Sequence, residues 1–236
     1  HRIFAMSSPP RPMARASSVP GAYSPMAHPP PSLRRSADPA APRIVGIGAS
    51  AGGLDAIERF LAQVPAQSGL AYVVVQHLDP HHKAMLVELL QRVTAMPVRE
   101  AGAGMPVAAD SVYVIPPNCE LTVQGGALHI GAPGRPRGLR LPIDVLFCSL
   151  AREQGERAIG VVLSGMGSDG TVGLQAIKTL GGLTLAQLPE SAQFGSMPAS
   201  AISMAAMPHH SSASGVSPKR QPIAAKTMPV NTSTSG

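Results

Sequence analysis

The sequence predicts an α/β fold: a doubly wound, mostly parallel, Rossmann-like sheet with helices on both faces and one antiparallel β-hairpin. Three observations carry that expectation. Short apolar runs alternate with amphipathic helical stretches from residue 43 to residue 207, the rhythm of βα units wound into one sheet. The run "AYVVVQH" is apolar almost throughout, as a strand covered on both faces must be. Aromatic residues make up only 3% of the chain and Trp is absent, while hydrophobic residues reach 44%, so the core must be built from Val, Leu, Ile and Ala.

Each element has its own warrant. "RIVGIG" (43–48) reads as a strand that runs into a glycine cluster. "GLDAIERFLAQV" (53–64) places Leu54, Ile57, Leu61 and Val64 on one helical face. After the strand 71–77, "DPHHKAMLVELLQRV" offers Asp79 as N-cap and Pro80 at the first helical position. "SVYVIP" (111–116) is a further strand, and "CELTVQGGALHI" a hairpin turning at Gly125-Gly126. The helix "PIDVLFCSLAREQ", the strand "AIGVVLSG" (158–165) and the helix "GTVGLQAIKTLGG" follow, the last closed by Gly181-Gly182. "LTLAQ" (183–187) is a strand and "MPASAISMAA" a final helix. Residues 1–42, with "PPRPM" and "HPPPS", and the tail 208–236 have too little to bury to offset chain entropy. Both are expected to be disordered, which leaves 43–207 as the folded domain.

The formal charge of +6 belongs to the ends. Residues 1–42 contribute +4 and residues 208–236 contribute +3, through Lys219, Arg220 and Lys226, whereas 43–207 sums to −1. A near-neutral core argues against a nucleic-acid surface. The two cysteines, Cys119 and Cys148, form no CxxC and have no His at zinc spacing. They are expected to be buried thiols in a reducing compartment. No apolar run reaches the ~18 residues a membrane span needs. The first residues have no apolar signal-peptide core, and the prolines of 2–35 break the helix a transit peptide would use. The initial His, and a C-terminal stretch drifting into low complexity, imply a truncated or frame-shifted piece of a longer chain.

Reactive groups in open parallel sheets gather at the carboxyl ends of strands. Three strands here end in polar residues: the first in Gly48-Ala49-Ser50-Ala51-Gly52, the second in Gln76-His77, and a later one in Ser164-Gly165-Met166-Gly167-Ser168-Asp169-Gly170. Two chemistries compete. Gly46-x-Gly48-x-x-Ala51 meets a loose dinucleotide fingerprint, but the carboxylate expected after the second strand is replaced by His77. Gly48-x-Ser50-x-Gly52 has the form of a nucleophile elbow, which holds a serine hydroxyl at a strand–helix turn. His77 is placed to accept its proton and Asp169 to orient the imidazole. Ser50 and Asp169 each have a plainer reading as the cap of the helix that follows, and His77 as a satisfied core histidine. "HLDPHH" also groups His77, Asp79, His81 and His82. Asp79 already serves as N-cap, and adjacent histidines point ~100° apart on a helix, so no metal and no cofactor are expected.

"VGIGASAGG", "VVVQHLDP", "VYVIPPN", "PIDVLF", "VVLSGMGSDG" and "LAQ" together resemble the catalytic domain of the chemotaxis receptor methylesterase family (CheB type), in order over about 43–206. "QHLDPHHKAML" and "GLRLPIDVLFCSLAREQGERAIGVVLSG" are most similar to the variant fused to a receptor methyltransferase. The resemblance implies a cytoplasmic serine hydrolase of glutamyl methyl esters on methyl-accepting chemoreceptors, with water as co-substrate, glutamine deamidation as an added activity, and a methyltransferase as fused or separate partner. Neither nucleic acid nor membrane insertion is implied. Carried over residue by residue, Ser50, His77 and Asp169 are the triad and the Met166 amide the oxyanion donor; the Ala51 amide is a second candidate from elbow geometry. Many relatives carry a phospho-receiver domain at the N-terminus, and residues 1–42 are too short and Pro-rich to form one. The alternative is a non-catalytic nucleotide- or receptor-binding module of the same fold.

Overall fold

The structure, a computed structural model, describes residues 41–76, 84–136 and 139–206. Of the two ends expected to be disordered, 1–40 and 208–236 lie outside these residues, as do Asp79, Pro80 and the histidines of "HLDPHH", whereas 41 and 42 are described. Nine strands and five helices are described. In chain order they are β1 (Arg43–Ala49), α1 (Gly53–Ala62), β2 (Leu70–Gln76), α2 (Ala84–Gln91), β3 (Val98–Glu100), β4 (Met105–Pro106) and β5 (Ser111–Val114). They continue with β6 (Glu120–Gln124), β7 (Ala127–Gly131), α3 (Pro142–Gln154), β8 (Ile159–Val162), α4 (Thr171–Thr179), β9 (Leu183–Ala186) and α5 (Ser196–Ala206).

Six strands form one parallel sheet in the order β3-β5-β2-β1-β8-β9. The chain starts at β1, winds outward through β2 and beyond, then returns to lay β8 on the other side of β1. That reversal puts the switch point of the sheet between β1 and β8, the place beyond the strand ends where open α/β sheets bind ligands. The period-2 pattern of the strands divides the core into two layers. Val45, Ile47, Tyr72 and Val74 pack with Ile57 and Leu61 of α1 and Leu86 and Leu90 of α2. Ile44, Val73 and Val75 face the other way, onto Phe147 and Leu150 of α3, Leu174 and Ile177 of α4, and Met197 of α5.

Helix α3 has little exposed surface because it is covered from several sides. A small antiparallel sheet, β4-β7-β6, lies over it. The Val123 N–H donates to Ser149 Oγ (3.1 Å) and the Gly126 N–H to Glu153 Oε1 (2.9 Å). The hairpin expected at Gly125-Gly126 is the β6–β7 pair, with both glycines at positive φ. Strands β3 and β4 have no counterpart in the expected elements. Three and two residues long, they are too short to show a period and exist through their pairing with β5 and β7.

Candidate active site

Ser50 immediately follows the last residue of β1, and Ala49 lies beside Gln76, the last residue of β2, in register. The turn into α1 is made by Gly52 at φ 65°, a left-handed conformation that glycine adopts without steric cost. A side chain there would also run into Gln193. No side chain caps α1. Ser50 contributes its carbonyl to the Gly53 N–H (2.9 Å), while its own N–H donates to Ser164 O (3.0 Å). The hydroxyl is therefore not used as a helix cap, which was its plainer reading.

The glycines before it have a packing reason. A Cβ on Gly46 would lie 2.9 Å from Phe147 Cε1, and one on Gly48 would overlap Ile143 Cγ2. Both let α3 sit directly on the sheet. The near-fingerprint Gly46-x-Gly48-x-x-Ala51 thus serves helix–sheet contact on one face, and the phosphate reading loses its glycines.

The loop after β8 comes back against the elbow. A Cβ on Gly165 would lie 2.9 Å from the Cβ of Ser50 and 2.5 Å from Met197 Cε, so only glycine fits between the elbow and α5. Gly165 is held in an extended exchange: its N–H donates to Phe194 O (2.9 Å) and its C=O accepts from the Met197 N–H (3.0 Å). Next in the chain, Met166 is exposed. Among the described residues, neither the Met166 nor the Ala51 N–H donates a hydrogen bond. Ser196 Oγ accepts from the Gly167 N–H (3.3 Å) and donates to Gly165 O (3.4 Å), bracing the turn from α5.

Asp169 is buried, and its position corrects the plainer reading of it as the cap of α4. Gly170, at φ 89°, is the N-cap of that helix. The Asp169 carboxylate instead accepts from α3, with Oδ2 taking the Ile143 N–H (3.1 Å) and Oδ1 the Asp144 N–H (2.9 Å). Helix α3 opens at Leu141-Pro142 with no cap of its own, so a carboxylate from a distant loop meets the positive end of its dipole. The favour is returned. Asp144, in the first turn of α3, accepts the Gly173 N–H of α4 through Oδ1 (2.7 Å). Burial pushes the Asp144 carboxyl up from its usual range, the Gly173 amide opposes this, and the negative charge of Asp169 adds to the rise. Asp144 was quoted within "PIDVLF" without a role; an acid in the first turn after an N-terminal Pro was the signal available.

The structure therefore sets the Ser50-Ala51 elbow against the Ser164-Gly165 backbone at the switch point, with Met166 next in the chain, while the Asp169 carboxylate is engaged at the first turn of α3. His77, the residue after β2, lies outside the described residues. Gln76, beside it in sequence, is buried, and among the described residues its Oε1 has no hydrogen-bond partner. The cysteines correct an expectation: both are free but only partly buried. Burial and the nearby Asp144 charge push the Cys148 thiol up, with Arg152 opposing. Among the described residues there is no cluster of His, Cys, Asp or Glu fit to hold a metal, and no helix is long and apolar enough to cross a membrane.

Comparison with known proteins agrees with this fold. The catalytic domain of the CheB methylesterase of Thermotoga maritima, a crystal structure, superposes with a TM-score of 0.64 at 29% identity, covering 70% of this chain and 89% of that one. A putative protein-glutamate methylesterase/protein-glutamine glutaminase of Leptospira interrogans is 35% identical over 157 residues, which is 66% of this chain and 81% of that protein. A protein-glutamate methylesterase/protein-glutamine glutaminase of Desulfitobacterium hafniense is 36% identical over 160 residues. An uncharacterized 104.1 kDa protein of Rhodobacter capsulatus is 48% identical over 117 residues. The chain spans 41% of the Desulfitobacterium protein and 12% of the Rhodobacter one. The family model described as CheB methylesterase matches residues 45–219. With the family model matching most of the chain and the parallel sheet shared with a solved catalytic domain, the chain belongs to the CheB methylesterase family.

Proposed function

We propose that this chain hydrolyses glutamyl methyl esters on chemoreceptors through an acyl-enzyme on Ser50. Ser50 Oγ attacks the ester carbonyl while His77 takes its proton, and the tetrahedral oxyanion is received by the Met166 and Ala51 amides. Collapse expels methoxide, which takes the proton from His77 and leaves as methanol. Water, activated by the same imidazole, then attacks the acyl-enzyme and frees the glutamate carboxylate. Asp169 holds the imidazole in its working tautomer and stabilises its charged form. A glutamine side chain passes through the same steps with ammonia as leaving group, the activity carried in the names of the Leptospira and Desulfitobacterium relatives. The reading includes a cytoplasmic setting and a receptor methyltransferase, fused or separate, as functional partner.

One observation carries the reading. The elbow hydroxyl has no capping role, and it sits where the Gly165-Met166 backbone closes in with an undonated amide. The test is methanol release from methylated receptor. The wild-type chain is expected to release it, and Ser50→Ala to fall by roughly 10⁴-fold or more, in the range of triad deletions. Release undiminished by that substitution would refute the assignment.

A further inference from the structure

Ser164 lies between the two halves of the site and belongs to neither the triad nor the oxyanion donors. It is 1% exposed, and its backbone and hydroxyl are all engaged. Its C=O accepts the Ser50 N–H (3.0 Å), and its Oγ donates to the Ala51 C=O (2.9 Å). One residue therefore grips the elbow on both sides of the serine hydroxyl. The same Oγ accepts the Phe194 N–H (3.0 Å), and the Phe194 C=O accepts the Gly165 N–H (2.9 Å). Ser164 is itself fixed by its N–H donating to Gln187 Oε1 (2.9 Å), whose Nε2 donates to Ser191 O (3.0 Å).

We propose that Ser164 is a positioning residue of the reaction: its buried hydroxyl sets the distance and orientation between the Ser50 hydroxyl and the Gly165-Met166 turn. Three segments far apart in sequence meet on that oxygen: the elbow, the β8 exit, and the loop between β9 and α5. No backbone bond joins the Ala51 carbonyl to the third segment; the Ser164 hydroxyl does. Its one proton goes to the Ala51 carbonyl and one of its two lone pairs to the Phe194 N–H. Any shift of this hydroxyl moves the elbow and the turn relative to one another. Displacements of ~1 Å between reacting groups cost ~10²-fold in rate.

This inference rests on Ser50 being the nucleophile, and the experiment separates the two. The full 236-residue chain is treated with an alkyl fluorophosphonate, and the covalent labelling rate at Ser50 is resolved into a maximal rate and a half-saturating concentration. Labelling of the wild type at Ser50, absent in Ser50→Ala, upholds the nucleophile; no labelling of the wild type overturns that reading itself. With the nucleophile upheld, Ser164→Ala and Ser164→Cys are expected to lower the maximal rate by roughly 10²-fold, with the half-saturating concentration unchanged. Ser164→Thr, which keeps the hydroxyl, is expected to return most of the rate. The cysteine, close to serine in size but a weak donor, keeps the site filled if the alanine variant fails to fold. Cysteine and alanine variants labelling at the wild-type rate would overturn the proposal. So would a threonine variant that melts like the wild type yet labels as slowly as the cysteine one.

Discussion

The Asp144 carboxyl caps one helix and sits against the residue that caps the other. Burial raises its pKa and the Asp169 charge raises it further, with the Gly173 amide opposing. Folding thus favours its protonated form. The native state holds more protons than the unfolded chain between the ordinary carboxylate pKa of about 3.9 and the raised one. That contribution to stability is full at the acid end and is lost as pH climbs through the raised pKa. Asparagine at 144 retains an acceptor for the Gly173 N–H and cannot ionise. The thermal midpoint of Asp144→Asn, measured against wild type, should therefore improve as pH goes from about 3.5 to 6. A difference that stays level would show that this carboxyl does not titrate with folding. At this scale the sequence was uneven. Ser50 and Asp169 could be singled out because strand ends are where reactive groups gather. Ser164 could not, and Asp144 offered only its place in a first helical turn, because each acts through backbone groups of a segment distant in sequence. Spacing gave no hint that Asp169 would cap a helix 26 residues before it.

Among the elements, α3 decides most. Its 13 residues read as a helix between two strands. What the sequence did not show is that the elements beneath had been pared to receive it. Gly46 and Gly48 of β1, Gly160 of β8 and Gly173 of α4 all leave space that Phe147, Ile143 or Leu174 fills or borders. Read along the chain, the first two pass for a phosphate loop; only the crossing of α3 over β1 gives their actual cause. Gly48→Ala is expected to cost about 1–3 kcal/mol, the usual range for overpacking, read as a lowered midpoint in urea or heat. Ile143→Ala removes the atoms it would strike. The double variant should lose less than the two single losses combined, since the sites are in contact; simple additivity would refute the steric account. Strands β3 and β4 lie at the opposite extreme. With so few residues, they acquire their state from partners, and no local pattern could have announced them.

For the whole molecule, the alternation of strand and helix was sufficient to give the doubly wound sheet, because each βα unit must return to the same layer. Strand order was a further matter: β8 beside β1 is fixed by tertiary packing, and it is this adjacency that creates the switch point. The folded region was expected to begin at 43, yet the chain is already anchored two residues earlier. Pro42 O accepts from Gln154 Nε2 (3.1 Å) and Ala41 O from Arg157. A piece comprising 41–207 is expected to melt in one cooperative transition at the temperature of the full chain, and one starting at 43 to melt a few degrees lower. Equal midpoints for the two would discount those anchors. The crossed caps of α3 and α4 carry a wider implication for anyone seeking an inert form of this protein. On the proposed mechanism, neutralising Asp169 would blunt chemistry and loosen a helix at once, so a silent mutant made there confounds two losses. Silence imposed at the elbow hydroxyl leaves the scaffold untouched, and a decoy built that way keeps its grip on whatever it recognises.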